Sequence, residues 1–425
     1  MSSPAESLAR GPLAHSNAGA FDRFLRQRLV ARLGAIRGGQ LRIHDCFGEI
    51  IVGSAAQPGA VSATLRIHHP DFYRQVASNG SVGAGEAYID GLWSCDDLVA
   101  LVRLLVRNRD LLDGMETGLA RLGGYAMKAM HALKRNTRSG SRKNISVHYD
   151  LGNRFFEIFL DPDMMYSSAI FADSTESLEQ ASKRKLERIC QKLELKPQDR
   201  LVEIGTGWGG MALYAATHYG CHVTTTTISR EQHALASARV QDAGLGDRVS
   251  VLLDDYRDLQ GSYDKLVSIE MIEAIGHQYL DTYFEKCASL LAPDGLALIQ
   301  AITIEDHRYE QALRSVDFIK RHVFPGSFIP SVSAMVESAG CAGQLRLLNL
   351  EDFGPSYALT VQHWRQRFLS RLDRVRAQGY DERFIRMWEF YLCYCEGGFL
   401  ERSISDVHLL LAASGNRRNQ YLPGL

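Results

Sequence analysis

The chain has no apolar run near the roughly 20 residues needed to cross a bilayer, and Met1 to Gly11 lacks the basic-then-apolar order of a secretion signal. A protein that stays in the cytoplasm is expected. Neither sign of charge is in excess: 48 Lys and Arg face 49 Asp and Glu, so no global field draws in nucleic acid, and no nucleic-acid partner is expected. The eight cysteines (Cys46, Cys95, Cys190, Cys221, Cys287, Cys341, Cys393, Cys395) include no C-x-x-C pair. That argues against both a disulfide framework and a zinc site, and no metal is expected. Internal repeats and low-complexity tracts are absent as well. What remains is a globular composition, 45% hydrophobic and 23% charged over 425 residues, enough for two domains and a large core.

The first part of the chain shows short alternating stretches, Leu41 to His44, Glu49 to Val52 and Ser62 to His68, broken by Gly and Pro, which predict a small sheet. Asp71 to Ala77 reads as a helix, and Gly83 to Trp93 leads into a helical pattern through Leu98, Leu101, Leu104 and Leu105. A separate N-terminal α+β module over residues 1–120 follows. Between Thr117 and Tyr149 no acidic residue occurs, while Arg121, Lys128, Lys134, Arg135, Arg138, Arg142 and Lys143 accumulate around Ser139-Gly140-Ser141. Residues 121–145 read as a basic linker. From 146 to 425 strands and helices alternate, with strands expected at Leu201 to Gly205, His222 to Thr227, Val249 to Leu253, Lys265 to Glu270, Leu296 to Ile302, Leu345 to Leu350 and Val407 to Ala412. Such alternation implies an α/β fold with a mostly parallel sheet, helices on both faces and a late hairpin bringing in an antiparallel strand.

The most informative run is Leu201 to Gly210, a buried strand that breaks into a glycine turn and opens a helix. Gly205 and Gly207 let the backbone turn sharply and approach a ligand, while the helix presents unpaired N–H groups. Gly205, Gly207 and Gly210 also satisfy the dinucleotide pattern G-x-G-x-x-G. A NAD site, however, expects an acid about 20 residues on for the ribose hydroxyls, and the second strand ends instead in Thr226-Thr227-Ile228-Ser229. Glu203 precedes the first glycine by two residues and Gly209 completes E-x-G-x-G-x-G, the spacing of S-adenosylmethionine enzymes. The methyltransferase reading is favoured. Glu203 and the turn would then hold the methionine end; Thr227, Ser229 and Gln232 would meet the ribose; and Asp255, Tyr256 and Arg257 offer a carboxylate and an aromatic plane for adenine. Any one of these groups alone is ordinary capping chemistry, but their placement after consecutive strands points to a nucleotide.

These segments resemble a known family, the cyclopropane-fatty-acyl-phospholipid synthases and the related mycolic acid cyclopropane synthases. The resemblance rests on His148-Tyr149-Asp150-Leu151-Gly152-Asn153, Met165-Tyr166-Ser167-Ser168-Ala169, the glycine turn with Trp208, and Thr227 to Gln232. It continues through Ser268-Ile269-Glu270-Met271-Ile272-Glu273, Ile319 to Gly326 and Glu351 to Tyr357, so it spans His148 to the C-terminus and, more loosely, the N-terminal module. It implies a class I methyltransferase (Rossmann-like) domain with a helical cap. The activity implied is methylene transfer from S-adenosylmethionine to a cis double bond of a phospholipid acyl chain. An alkene is a feeble nucleophile, so the sulfonium methyl must be held in line with it away from water. The resulting carbocation must be shielded and then lose a proton.

In the family a bound bicarbonate is thought to take that proton; carried over by motif, its contacts are Ser168, Glu273, Gln300, Ile302 and Tyr357. Tyr166 is similar to a family tyrosine beside the cofactor, and Ser167 adjoins it. This chain departs from better-known members in having Ser168 for a cysteine and Gln300 for a histidine. The amide can donate but cannot become a cation.

Blander readings stand beside these. Glu273, just past an apolar strand, could be one end of a structural salt bridge, Tyr357 a core aromatic, and His148 and His277 hydrogen-bonded structural residues. Phe324, Phe328 and Ile329 could line an acyl tunnel or simply pack. The basic stretch could be a solvated linker or a patch that holds the enzyme at the inner membrane face, where each Lys or Arg near an anionic surface contributes about 1 kcal/mol. The N-terminal module would then serve docking or dimer contacts, with a homodimer as one possible state. Two rivals to the cyclopropane synthase remain: a C-methyltransferase leaving a methylene or methyl branch, and a non-catalytic lipid-binding protein on the same fold.

Overall fold

A computed structural model describes residues 18–113 and 151–417. The basic stretch from Arg121 to Lys143 and His148-Tyr149-Asp150 lie outside the described residues. The chain divides into two compact units: one gathers the N-terminal residues with Arg314–Val323 and Val361–Ser403, and the other holds the remainder. Two late stretches expected in the catalytic part therefore belong to the N-terminal unit. The reason is aromatic packing within it, where the Phe318 and Phe390 rings lie 4.7 Å apart and the Tyr88 and Phe390 rings 5.6 Å apart.

The first unit is built on β1 (Gly39–Asp45), β2 (Gly48–Gly53), β3 (Val61–Ile67) and β4 (Trp93–Cys95), in the order β2-β1-β3-β4. β1 and β2 form an antiparallel hairpin, β3 runs parallel to β1, and β4 closes the edge antiparallel to β3. In β3 Val61, Ala63, Leu65 and Ile67 are buried and the residues between them are more exposed, the alternation from which a half-buried strand was expected. The short β4 was not expected, since three residues carry no readable period. Helices α1 (Ala20–Leu33), α2 (Asp71–Ile89) and α3 (Leu98–Arg107) accompany the sheet. α2 continues beyond the expected Ala77 by passing through Gly80 at φ +57°, a conformation open to glycine. α3 starts at Asp97, whose carboxylate accepts the Ala100 N–H at 2.9 Å. The helix Glu382–Leu400 packs on α3 so closely that a Cβ at Gly397 would lie 2.6 Å from Val102 Cγ1.

The second unit carries all seven expected strands: β5 (Arg200–Ile204), β6 (His222–Thr226), β7 (Val249–Leu252), β8 (Tyr263–Ile269), β9 (Leu291–Ile304), β10 (Arg346–Asp352) and β11 (Ile404–Ala412). Their order is β10-β11-β9-β8-β5-β6-β7, parallel from β9 through β7, with β11 antiparallel to both of its neighbours. This is the class I methyltransferase arrangement. The antiparallel pair is real, but residues 353–403 separate its strands, so it is no tight hairpin.

Alternate residues feed two cores. Val202, Ile204, Leu266 and Ile299 pack with Tyr283, Phe284, Met335 and Ala339 on one face. Leu201, Val267 and Leu298 pack on the other against α4 (Leu178–Lys192) and α5 (Gly210–Tyr219) through Leu186, Ile189, Met211 and Ala215. Ser177 and Gln180 form a capping box that starts α4.

Replacing Gly397 with Ala drives a methyl group into Val102, and overpacking of this kind costs about 1–3 kcal/mol. Gly397→Ala should lower the urea midpoint of the first unit without changing the slope, and adding Val102→Ala should restore part of the loss.

Candidate active site

The parallel strands end on one side of the sheet, and there the sequence changes from apolar to polar and glycine-rich. At the end of β5, Gly205 and Gly207 have φ of +100° and +52°, and a Cβ at Gly207 would meet nothing within 4 Å. The turn therefore leaves open space beside its backbone. α5 begins after Gly209 with no side chain capping its first N–H groups. Residues 153–166 lie over this turn. Trp208 donates from Nε1 to Asn153 Oδ1 at 2.7 Å, its ring lies 5.0 Å from that of Phe156, and Phe156 is 5.1 Å from Tyr166. Arg239 ties the layers by donating to the Trp208 carbonyl at 2.8 Å. The aromatics Phe155, Phe156, Phe159 and Trp208 are buried, and together they form an apolar lid packed on the Trp208 side of the turn.

Along the edge toward β6 and β7 the expected nucleotide contacts are engaged with one another. The Ser229 hydroxyl accepts the Gln232 N–H as the N-cap of the helix Arg230–Asp242, so the capping role is realised there. The Thr227 hydroxyl donates to Gln232 Oε1 at 2.8 Å, which leaves the amide NH2 group as that residue's remaining donor. Asp255 is not a free acceptor: Arg257 grips both of its oxygens, at 2.8 and 2.6 Å. Tyr256 sets its ring edge against Tyr283 at 5.7 Å.

At the ends of β8 and β9 carboxylates accumulate. Glu270 sits at φ +49°, unusual for a residue with a side chain, and its N–H donates to the Gln300 carbonyl at 2.9 Å. Its Oε1 accepts from the Ser168 N–H at 2.7 Å and from Gln300 Nε2 at 2.9 Å, and its Oε2 accepts from the Tyr357 hydroxyl at 2.6 Å. Gln300 Nε2 also donates to Asp406 Oδ2 at 2.8 Å. Burial holds His408 neutral, well below its ordinary range. Its Nε2 lies 3.2 Å from Gln300 Oε1 and must carry the proton to donate there, which fixes the amide with its NH2 toward the two acids. Glu273 accepts the Ile302 N–H on Oε1 at 2.6 Å, while its Oε2 is buried without a partner.

Among the described residues, one cation faces this group. Lys185, on α4 and fully enclosed, donates to Ser167 Oγ at 2.6 Å and interacts with Glu270, Asp161, Asp406 and Glu203. Loss of hydration is the largest influence on every member: it lowers the lysine and raises the acids. Glu203 is pushed up to about 8 by burial within β5, against the smaller opposing effects of Thr225 and Lys185. Glu273 is likewise raised to about 8 by burial and then by the neighbouring Glu270. Asp406 lies well above the carboxylate range for the same two reasons, burial and the neighbouring Glu270.

Of the residues expected around an anion, the structure thus gathers Ser168, Gln300 and Tyr357 about Glu270, while Ile302 joins Glu273. Glu270, Lys185, Asp406 and His408 join this group although none is among the residues expected there. Glu270 was legible, since it ends an apolar strand as conspicuously as Glu273 does. Lys185, Asp406 and His408 carried no local signal, because only the folded sheet brings them in.

The family model for mycolic acid cyclopropane synthetase matches residues 136–409. The chain belongs to this family. It is 37% identical over 400 residues to the tuberculostearic acid methyltransferase UfaA1 of Mycobacterium tuberculosis, covering 92% of this chain and 90% of that one. The cyclopropane-fatty-acyl-phospholipid synthase of Escherichia coli K12 is also 37% identical, over 81% of this chain and 87% of its own. Among solved structures, the mycolic acid cyclopropane synthase CmaA1 in complex with SAH and CTAB superposes with a TM-score of 0.60 at 26% identity, covering 64% of this chain and 98% of that one. The protein is an S-adenosylmethionine-dependent methyltransferase of the cyclopropane synthase type.

Because Glu203 keeps its proton in the folded state up to about pH 8 but ionises near 4.5 when exposed, the folded state binds more protons across that window. Stability is therefore greatest at the acid end and falls as pH rises toward 8. Glu203→Gln should show a smaller drop in Tm between pH 5 and 8 than the unaltered protein, the residual drop coming from Glu273 and the other buried acids whose proton affinity is raised. An equal drop in both would contradict the assignment.

Proposed function

We propose that this enzyme transfers a methyl carbon from S-adenosylmethionine to a cis double bond in a phospholipid acyl chain and closes a cyclopropane ring by removing a proton. The observation that carries this reading is Glu273 Oε2, a buried and unpartnered carboxylate oxygen at the carboxyl end of the sheet that also bears the glycine turn.

The cofactor fits what is present. The space beside Gly207, the uncapped N-terminus of α5 and the Gln232 amide suit its methionine and ribose ends. When bound, it supplies an electrophilic methyl group on a sulfonium. The lid of Phe156, Trp208 and Tyr166 excludes water, so that the weakly nucleophilic alkene meets no competitor and the carbocation formed on the lipid is not trapped as an alcohol. The cation sits near aromatic faces and carboxylates, which stabilise positive charge. Glu273 then accepts a proton from the new methyl group, and the electron pair of that C–H bond closes the ring.

Bicarbonate fits poorly. Three donors expected to hold it are bonded to Glu270, and no step is assigned to it. That same feature favours a second reading, in which a hydride shift moves the cation to the methyl-bearing carbon before proton loss leaves a methylene branch. Saturation of that branch to a methyl group would need a separate reductant.

The substrate lies in a bilayer, and no described helix is long and apolar enough to cross one. Peripheral contact from the cytoplasmic side, with the basic stretch from Arg121 to Lys143 against anionic headgroups, completes the proposal.

Purified enzyme incubated with cis-unsaturated phospholipid vesicles and S-adenosylmethionine should yield acyl chains heavier by one CH2. Upfield ring protons in NMR would support cyclopropanation, and vinylidene protons the branched product. No gain in mass would refute both. Because the acceptor works only when ionised, kcat should rise with pH and level off above about 8. Removing such a group costs about 10²–10⁴-fold in rate. Glu273→Gln should lose that much in kcat with cofactor affinity preserved; a variant of near-normal rate would exclude Glu273 as the acceptor.

A further inference from the structure

Building on the proposed reaction, we propose that Glu270 supplies, from the chain itself, the anion that the site would otherwise take up as bicarbonate. A carboxylate and a bicarbonate present the same planar pair of oxygens to hydrogen-bond donors. In this chain the Ser168 N–H, the Gln300 amide and the Tyr357 hydroxyl converge on that pair at 2.7, 2.9 and 2.6 Å. The side chain is aimed there by a backbone in the left-handed region, φ +49°, held by the hydrogen bond from the Glu270 N–H to the Gln300 carbonyl. Residues with side chains adopt that conformation at a cost and keep it where the surroundings dictate it.

A second anion would find little to hold it. Gln300 carries no positive charge, and His408 behind it is kept neutral by burial. Lys185 interacts electrostatically with this group, and it already serves Glu270, Asp161, Asp406 and Glu203. Adding bicarbonate would place another negative charge beside acids that already raise one another's proton affinity. Glu270 is thus a positioning residue. It fills the cradle, orders Ser168, Gln300 and Tyr357, and sets its carboxyl group beside Glu273, whose free oxygen takes the proton.

The test compares the unaltered enzyme with Glu270→Gly and Glu270→Gln in bicarbonate-free buffer and in added bicarbonate. Turnover on unsaturated phospholipid vesicles is measured alongside binding of carbon-13 bicarbonate by NMR. The unaltered enzyme should turn over equally in both buffers and show no bicarbonate binding. Glu270→Gly opens the cradle; it should lose on the order of 10²-fold or more without bicarbonate, bind the labelled anion and recover when it is supplied. Glu270→Gln keeps the cradle filled without its charge, and should be impaired and not rescued.

Stimulation of the unaltered enzyme by bicarbonate, or bicarbonate binding to it, would overturn the proposal. So would a Glu270→Gly protein of normal Tm that binds none. If the unaltered enzyme fails to modify the lipid at all, the reaction assignment fails, while the NMR titration still decides what the cradle holds.

Discussion

A carboxylate taken out of water must be met by donors or it will not stay charged, and the bonds that satisfy Glu270 tie this site together. They join four parts of the chain: the segment around Ser168 laid over the glycine turn, the end of β8, the middle of β9 through Gln300, and the start of the helix Gly354–Ser370 through Tyr357. Behind them His408 on β11 fixes the direction of the Gln300 amide. Removing the central acid would take away the acceptor that these three inward-facing donors share.

Around that centre the enclosure is electrostatically unbalanced. One buried lysine faces several carboxyl groups, and low hydration makes each ionisation compete with the next. Such a cluster stabilises the fold weakly, yet it keeps proton acceptors near neutrality at the point where a lipid-borne cation would need them. In the proposed reaction the aromatic lid and the glycine turn serve the other half, excluding water and letting a cofactor approach the backbone. Chemistry and architecture meet because the parallel strands end on one side and α5 begins there.

Much of this was legible in the chain. All seven strands of the second unit announced themselves as short apolar runs, and the turn Gly205 to Gly210 identified the cofactor class because glycine, an acid two residues earlier and a polar second strand are each demanded by a physical reason. The first unit was legible only in part. Its strands showed the period of two, but α2 runs on through Gly80, and the helix Glu382–Leu400 joins that unit by aromatic packing between residues some 300 apart in sequence. Polar roles were harder to read. Ser229 and Asp255 lie in the loops after β6 and β7, yet the structure binds them to Gln232 and Arg257, because a hydroxyl or a carboxylate at a helix start has local partners within reach. Lys185, Asp406 and His408 come from segments whose own patterns describe only helix or strand. They meet only once β11 lies between β9 and β10 and α4 packs on the sheet.

The central claim concerns what occupies the donor cradle, and a high-resolution crystal structure of the enzyme with S-adenosylhomocysteine, grown in bicarbonate, tests it directly. The account predicts Glu270 in the left-handed conformation with its carboxylate on Ser168, Gln300 and Tyr357, and no further density between them. A planar carbonate bound to those donors, with Glu270 turned away, would contradict it.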